Sequence, residues 1–155
     1  MYFKIKKKLD HFSVDLEYEF EQGVLVIQGE SGAGKTTILN CIAGLSLPEE
    51  GRITIGSNLV FDSASGIDLP TRTRNVGYLF QNYAQFPNMP VKKNITYGIK
   101  NRPEYKEKGS KEELLRYADD VMENFGIAHL KKKHPNQISG GEKQRIGILI
   151  ALLLE

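Results

Sequence analysis

Cysteine is nearly absent from this chain of 155 residues: Cys41 stands alone. No internal disulfide can form, and the sequence suits a reducing compartment. Cys41 itself lies on an apolar helix face and reads as core. An excess of one charge is missing too. Lys and Arg number 21 against 19 Asp and Glu, a formal net charge of +2, and that balance does not call for nucleic acid as a partner. Long hydrophobic runs are missing as well. The longest extends from Ile146 to Leu154 and reads as a core segment, far short of the roughly 20 residues that span a bilayer. The lysines near the N-terminus have no apolar run behind them, unlike a secretory signal, so a link to a membrane would come through a partner. No repeat and no low-complexity tract is present. The one basic cluster, Lys4 with Lys6, Lys7 and Lys8, alternates partly with apolar residues. It reads as a solvated strand edge, where lysines discourage strand-to-strand aggregation, ahead of a membrane-facing patch.

Glycine is well supplied, and its placement carries information. Gly29-Glu30-Ser31-Gly32-Ala33-Gly34-Lys35-Thr36 fits G-x-x-x-x-G-K-[ST]. In that loop a curled backbone points successive N–H groups at phosphate oxygens, the lysine reaches the β- and γ-phosphates, and the hydroxyl ligates Mg2+. The alternative is a glycine-rich turn with a chance Lys-Thr. The flanks favour the loop. Val24–Ile27 reads as a buried strand entering it, and Thr37–Ala43 as a helix leaving it whose N-terminus favours anions.

Elsewhere, Tyr2–Lys7 and Ser13–Glu19 read as short strands broken near Asp10, and Gly44 and Pro48 stop the first helix. Arg52–Ile55 and Leu59–Phe61 read as strands joined by a Gly56-Ser57-Asn58 turn. Residues 62–75 read as a surface loop and Val76–Phe80 as another buried strand. Beyond Gln81, Pro87, Pro90, Pro103 and several asparagines suit loops and short helices. Ser110-Lys111-Glu112-Glu113 is a capping box; it opens a helix with Leu114, Leu115, Ala118, Val121, Met122 and Phe125 on one face, closed by Gly126. The expected division is 1–81 as a nucleotide-binding core with β strands and the phosphate loop, 82–138 as a mainly helical subdomain, and 139–155 as a motif with its following helix. Asn94-Ile95-Thr96 fits a glycosylation sequon, which has no meaning without secretion.

Ser139-Gly140-Gly141-Glu142 is a second capping box. Each glycine lowers helix propensity by about 1 kcal/mol against alanine, so something else should justify them. Bare N–H groups at a helix N-terminus admit a close anion. A cap with loop glycines explains the local pattern equally well.

With the phosphate loop in the same chain, the balance changes. Ile138-Ser139-Gly140-Gly141-Glu142-Lys143-Gln144-Arg145 resembles the signature motif of ATP-binding cassette (ABC) ATPases, L-S-G-G-Q or L-S-G-G-E. Tyr78-Leu79-Phe80-Gln81 resembles the strand that ends in their Q-loop glutamine. Phe86-Pro87 with Val91 and Asn94-Ile95 resembles the run that follows it, and order and spacing agree over essentially the whole chain. Gly51-Arg52-Ile53, Phe61-Asp62-Ser63, Gly66-Ile67-Asp68-Leu69-Pro70 and Val76-Gly77-Tyr78 look like the ATPase subunits of molybdate importers, with sulfate and other oxyanion importers as near relatives.

The resemblance implies an α/β fold: a P-loop NTPase core of the ABC ATPase type with N-terminal antiparallel β strands and an inserted helical subdomain. It implies an ATP-binding importer subunit that couples ATP binding and hydrolysis to transport of molybdate or a related oxyanion. Gly29, Glu30, Ser31, Gly32, Ala33, Gly34, Lys35, Thr36 and Thr37 would hold the triphosphate of ATP. Thr36 and Gln81 would contact Mg2+, and Lys35 and Gln81 would serve catalysis. Phe12 is the candidate for stacking on adenine; an ordinary core phenylalanine is the equal reading. Ser139, Gly140 and Gly141 would complete the site of a second ATPase subunit, so that two chains pair head-to-tail around two ATP molecules. A transmembrane permease subunit would meet the helical subdomain and the loop after Gln81, with a substrate-binding protein as an indirect partner. The implied location is cytoplasmic, on the inner face of the plasma membrane.

The sequence also departs from the family. Gln85, Asn88 and Pro90 stand where Leu, His and a small residue are frequent, and Ile150 stands where arginine is usual. His11, His129 and His134 lie where the family has no catalytic histidine and read as surface or packing residues. Family members continue beyond the hydrophobic run into a strand ending in Asp-Glu, whose aspartate supports Mg2+ and whose glutamate polarises the attacking water; a switch histidine follows. The resemblance therefore implies that the C-terminal part of the family fold is missing and that this chain binds ATP without completing hydrolysis alone. It also implies a chain that is marginal, self-associating or rearranged at its C-terminus, because the missing strand would leave backbone groups uncovered. The alternatives are a non-hydrolysing nucleotide-binding module and, disfavoured by Ser139-Gly140-Gly141, a phosphate-loop kinase.

Overall fold

The structure is a computed structural model that describes residues 1–83, 85–97 and 110–153, with the side chain of Ser110 excepted. Pro103, Leu154 and the expected Ser110 cap therefore lie outside the described residues. The chain divides into two compact units, Met1–Val76 and Gly77–Glu155.

Alternation of residue type builds the first unit. In β1 (Tyr2–Lys8), Phe3 and Ile5 face the core and are fully buried, while Lys4 and Lys6 face out. β1 pairs antiparallel with β2 (Ser13–Glu19) on one side and β3 (Glu50–Ile55) on the other. β4 (Asn58–Asp62) and a short β5 (Ile67–Asp68) extend the sheet to the order β2-β1-β3-β4-β5. The lysine row thus does not stand at a sheet edge, where the sequence alone put it. It lies on the solvent face of an inner strand, opposite acids of its neighbours. Lys4 Nζ is 2.8 Å from Glu17, and Lys6 Nζ is 3.7 Å from both Asp15 and Glu50. Pairs this exposed add little energy, but a one-residue slip would reverse them, so they favour one register. On the inner face, Ile38 and Cys41 of α1 (Lys35–Ala43) join Phe3, Ile5, Ile53 and Phe61 in one core. Burial pushes the Cys41 thiol up from its ordinary value, as a core cysteine requires.

Two expected strands do not form. Val24–Ile27 and Val76–Phe80 enter no sheet. The alternation at 24–27 is visible in burial: Leu25 and Ile27 pack partly on the core, while Val24 and Val26 are 92% and 67% exposed. A strand is defined by a ladder, and among the described residues no segment pairs with this one. β-propensity without a neighbour gives an extended segment, not a strand.

The second unit is helical. α2 (Val91–Ile95), α3 (Ser110–Asn124) and α4 (Gly140–Leu152) enclose a separate core that includes Val91, Met122, Ile127, Leu130, Ile146 and Leu149. In α3, Ala118 and Met122 are fully buried, and Leu114, Val121 and Phe125 pack beside them, which is the face the sequence periodicity marks out. Past Gly126 the Ile127 N–H returns to the Met122 carbonyl at 3.0 Å and closes the helix end. Asp119 of α3 is gripped by Lys92 of α2 and by Lys131, each with Nζ 2.9 Å from a carboxylate oxygen. No helix among the described residues is long and apolar enough to cross a membrane.

Candidate functional site

The glycine-rich loop lies in the first unit, between the unpaired segment 24–27 and α1. Its curl is set by Gly32 and Gly34, both at positive φ. At Gly34 the need for glycine is double: φ is 85°, and a Cβ would lie 2.7 Å from Val14 Cγ2 and 3.4 Å from the Phe12 ring. Those two side chains begin β2 and the turn before it, so the loop is seated against the β1–β2 hairpin. The Ala33 N–H closes the turn onto the Glu30 carbonyl at 3.2 Å. α1 follows at once. Its first intrahelical bond runs from the Ile38 N–H to the Gly34 carbonyl, so the amides of Lys35, Thr36 and Thr37 precede any intrahelical acceptor. The first turn contains no acidic residue.

Lys35 folds back over this turn. Its ammonium donates to the carbonyls of Gly29 at 2.8 Å and Glu30 at 2.6 Å. A cation held at the mouth of a loop, with free helix amides behind it and the exposed Thr36 hydroxyl beside it, has the chemistry to receive an anion. The donor set fits a phosphate chain with a hard divalent cation: hydroxyl and phosphate oxygens suit Mg2+. Among the described residues no cluster of His, Cys, Asp or Glu would compete for that metal.

Phe12 is brought to the loop. Its ring borders Gly34 and remains 41% exposed, so it is not the ordinary core phenylalanine that composition allows. Gln81 and Ser139–Gly141 belong to the second unit. Gln81 is exposed in a turn closed by the Tyr83 N–H on the Phe80 carbonyl at 2.8 Å. Ser139 is the N-cap of α4 in a full capping box: its N–H donates to Glu142 Oε2 at 2.7 Å, its hydroxyl to the same oxygen at 2.8 Å, and the Glu142 N–H returns to Ser139 Oγ at 3.4 Å. These bonds hold the Glu142 carboxyl below its usual range. A Cβ at Gly140 or Gly141 would meet nothing within 4 Å, so internal packing does not explain either glycine. They leave a bare, exposed helix N-terminus.

Three residues have supporting roles that the sequence does not show. Arg74, 3% exposed, donates to the carbonyls of Cys41, Ile42 and Leu69 and pairs with Asp68 at 2.9 Å. Nothing in its local pattern separates it from Arg72. Asn94, 1% exposed, accepts from the Phe86 N–H at 2.7 Å and donates to the carbonyls of Phe86 and Met89, which sets the shape of the loop 86–90. Its burial also removes it as a glycan acceptor. Gln85 donates to the Lys143 carbonyl of α4 at 2.7 Å.

Comparison with known proteins agrees with this geometry. The sequence pattern of the ABC transporter family matches residues 11–155. The molybdenum import ATP-binding protein ModC of Paramagnetospirillum magneticum is 40% identical over 96% of this chain, and that of Vibrio vulnificus 42% identical over 96%. The chain spans only 39% and 38% of the length of those two relatives. Among solved structures, the dimeric bacterial ABC transporter cassette MJ0796 superposes with a TM-score of 0.72 at 25% identity, covering 98% of this chain and 69% of that one. CbiO1 from Clostridium perfringens, part of the CbiONQ ABC transporter complex, gives a TM-score of 0.72 at 24% identity, covering 98% and 61%. The fold is therefore that of an ABC ATPase cassette, the match runs through both the phosphate loop and the Ser139 motif, and the chain belongs to the ABC transporter family.

Proposed function

We propose that this chain is the ATP-binding part of an importer ATPase, with molybdate or a related oxyanion as the transported ion. The observation that carries the reading is Lys35 folded across the mouth of a loop whose helix amides have no partner of their own. A triphosphate would exchange those two bonds to neutral carbonyls for bonds between opposite full charges. Gly29–Thr37 would cradle the phosphates and Phe12 would stack on the base. Thr36 and Gln81 would face Mg2+, which when bound neutralises charge on the phosphates. In this reading residues 1–81 form the nucleotide-binding core, 82–138 the helical subdomain, and 139–155 the signature motif and its helix.

The bare N-terminus at Ser139–Gly141 is built for a phosphate that its own unit does not supply. That supports a head-to-tail pair in which each motif completes the other chain's site. The oxyanion assignment is supported by relatives named for molybdenum import. A permease subunit at the cytoplasmic face of the membrane and a substrate-binding protein beyond it follow from the same reading. In this reading hydrolysis would draw also on the Asp-Glu pair expected in longer family members.

Equilibrium binding of ATP and phosphate release, measured on this chain and on a form extended to the length of the relatives, test the proposal. Binding in both forms with turnover only in the longer one supports it. Turnover in neither favours a non-hydrolysing module, and absence of ATP binding to the present chain overturns it.

A further inference from the structure

Within the second unit, the segment that carries Gln81 is laid along α4 at three places. A Cβ at Gly77 would lie 3.3 Å from the Ala151 Cβ and 3.1 Å from its carbonyl oxygen. Leu79 fills the space over Gly147, its Cδ1 2.5 Å from where a Cβ would stand, with Tyr83 Cβ 3.5 Å away. Gln85 reaches the Lys143 carbonyl at 2.7 Å. As the segment advances from 77 to 85, the contacts step along α4 from its C-terminal end to within about a turn of Ser139. Between them Tyr83 sits at φ 61°, a left-handed conformation that bulky residues rarely adopt, and Gln81 stands at the tip of the resulting turn.

Gln85 differs from the other contacts in its chemistry. The Lys143 carbonyl lies inside α4, where an amide four residues on already faces it. The Gln85 bond is not needed to satisfy that carbonyl, and Gln85 Oε1 is itself buried without a hydrogen-bond partner. An apolar side chain of similar size would remove that deficit. Stability therefore does not account for the amide, whereas its direction and its distance from Ser139 do have a use. We infer that Gln85 is a positioning residue, a strut that carries displacement of the Gln81 turn to the first turn of α4 and so sets the orientation of the Ser139–Gly141 amides. It acts through the Lys143 carbonyl and touches no nucleotide. What those amides meet rests on the head-to-tail reading above; the strut does not.

Gln85→Met keeps the length of the side chain and removes the donor, and Gln85→Leu removes both. In the full chain, amide hydrogen exchange at Glu142 and Lys143, the first-turn amides that have acceptors, is expected to quicken at least threefold in both variants. Exchange at Ile146–Ala151 and in α1, and the thermal midpoint, should stay as in the parent. Unchanged exchange at Glu142 and Lys143, a rise in Gln85→Leu alone, or a rise spread over all of α4 each overturns the inference, since the last two describe packing. ATP-dependent self-association, followed by sedimentation velocity, is expected to weaken severalfold in both variants while ATP binding to the monomer is retained. A parent chain that does not associate with ATP defeats the head-to-tail reading and leaves the exchange result to decide the strut.

Discussion

Arg74 donates from Nη1 to the Cys41 carbonyl at 2.8 Å, which places a buried cation against the C-terminal end of α1, the helix whose other end opens the phosphate loop. The helix dipole is negative there, and the fork of the guanidinium also engages Ile42 and Leu69. Arg74→Ala would take this donor from the Ile42 and Leu69 carbonyls and leave the Cys41 carbonyl only the Gly44 N–H at 3.2 Å. It should lower the unfolding free energy by about 3 kcal/mol in urea denaturation. Arg74→Lys should recover only part of the loss, because a compact ammonium lacks the planar fork whose Nε and Nη1 reach carbonyls of two separate segments. Asp68 is half exposed, so Asp68→Asn should stay within about 1 kcal/mol of the parent.

Lys35→Ala tests the anion site directly. The variant removes the ammonium that closes the loop and leaves the α1 amides in place. Its folding should be close to the parent's, since the side chain is not part of the core cluster. Equilibrium titration with a fluorescent ATP analogue should show binding weakened about tenfold or more, equivalent to at least ~1.4 kcal/mol. Equal affinity in the two forms would remove Lys35 from the site.

For Phe12 the expected effect is smaller and selective. Ring stacking contributes on the order of 1 kcal/mol, so Phe12→Ala should weaken ATP binding about fivefold while Phe12→Tyr retains it. Tripolyphosphate, which has no base, should bind the parent and both variants alike. A matching loss for tripolyphosphate would mean that Phe12 acts by supporting Gly34.

Asp119 gives the second unit an acid limit. Hydrogen bonds from Lys131 and then Lys92 hold its carboxyl below the usual carboxylate range. A carboxylate depressed in the folded state adds stability that is complete above its unfolded pKa, roughly 3.9, and is lost as pH falls through the lower folded value. Asp119→Asn should therefore cost on the order of 1 kcal/mol at neutral pH. The gap between parent and variant should close below about pH 4 in thermal melts taken across the acid range.

The sequence made legible whatever is encoded by local pattern. Period-two alternation marks β1 and β2, a 3.6-residue stripe marks the buried face of α3, and the Gly29–Thr36 and Ser139–Glu142 spacings mark two helix N-termini. It failed where structure depends on a neighbour distant in sequence. Val24–Ile27 has the composition of a strand and no described ladder partner. The β1 lysines look like edge residues until β3 arrives from forty residues downstream to cover the second side. The roles of Arg74 and Gln85 depend on distant carbonyls, those of Cys41 and Ile42 more than thirty residues from Arg74 and that of Lys143 more than fifty from Gln85.

The unpaired segment has a chemical consequence. Proteases bind the chain they cut as an extended strand, with its backbone groups free and alternate side chains available for pockets. Val24–Ile27 offers that arrangement, with Val24 and Val26 turned outward. A protease selective for small aliphatic residues should nick the chain there first and separate the β1–β2 hairpin from the glycine-rich loop that it supports. Any partner able to add a strand at that place would act as a protease shield, and the rate of that single cut would report its arrival.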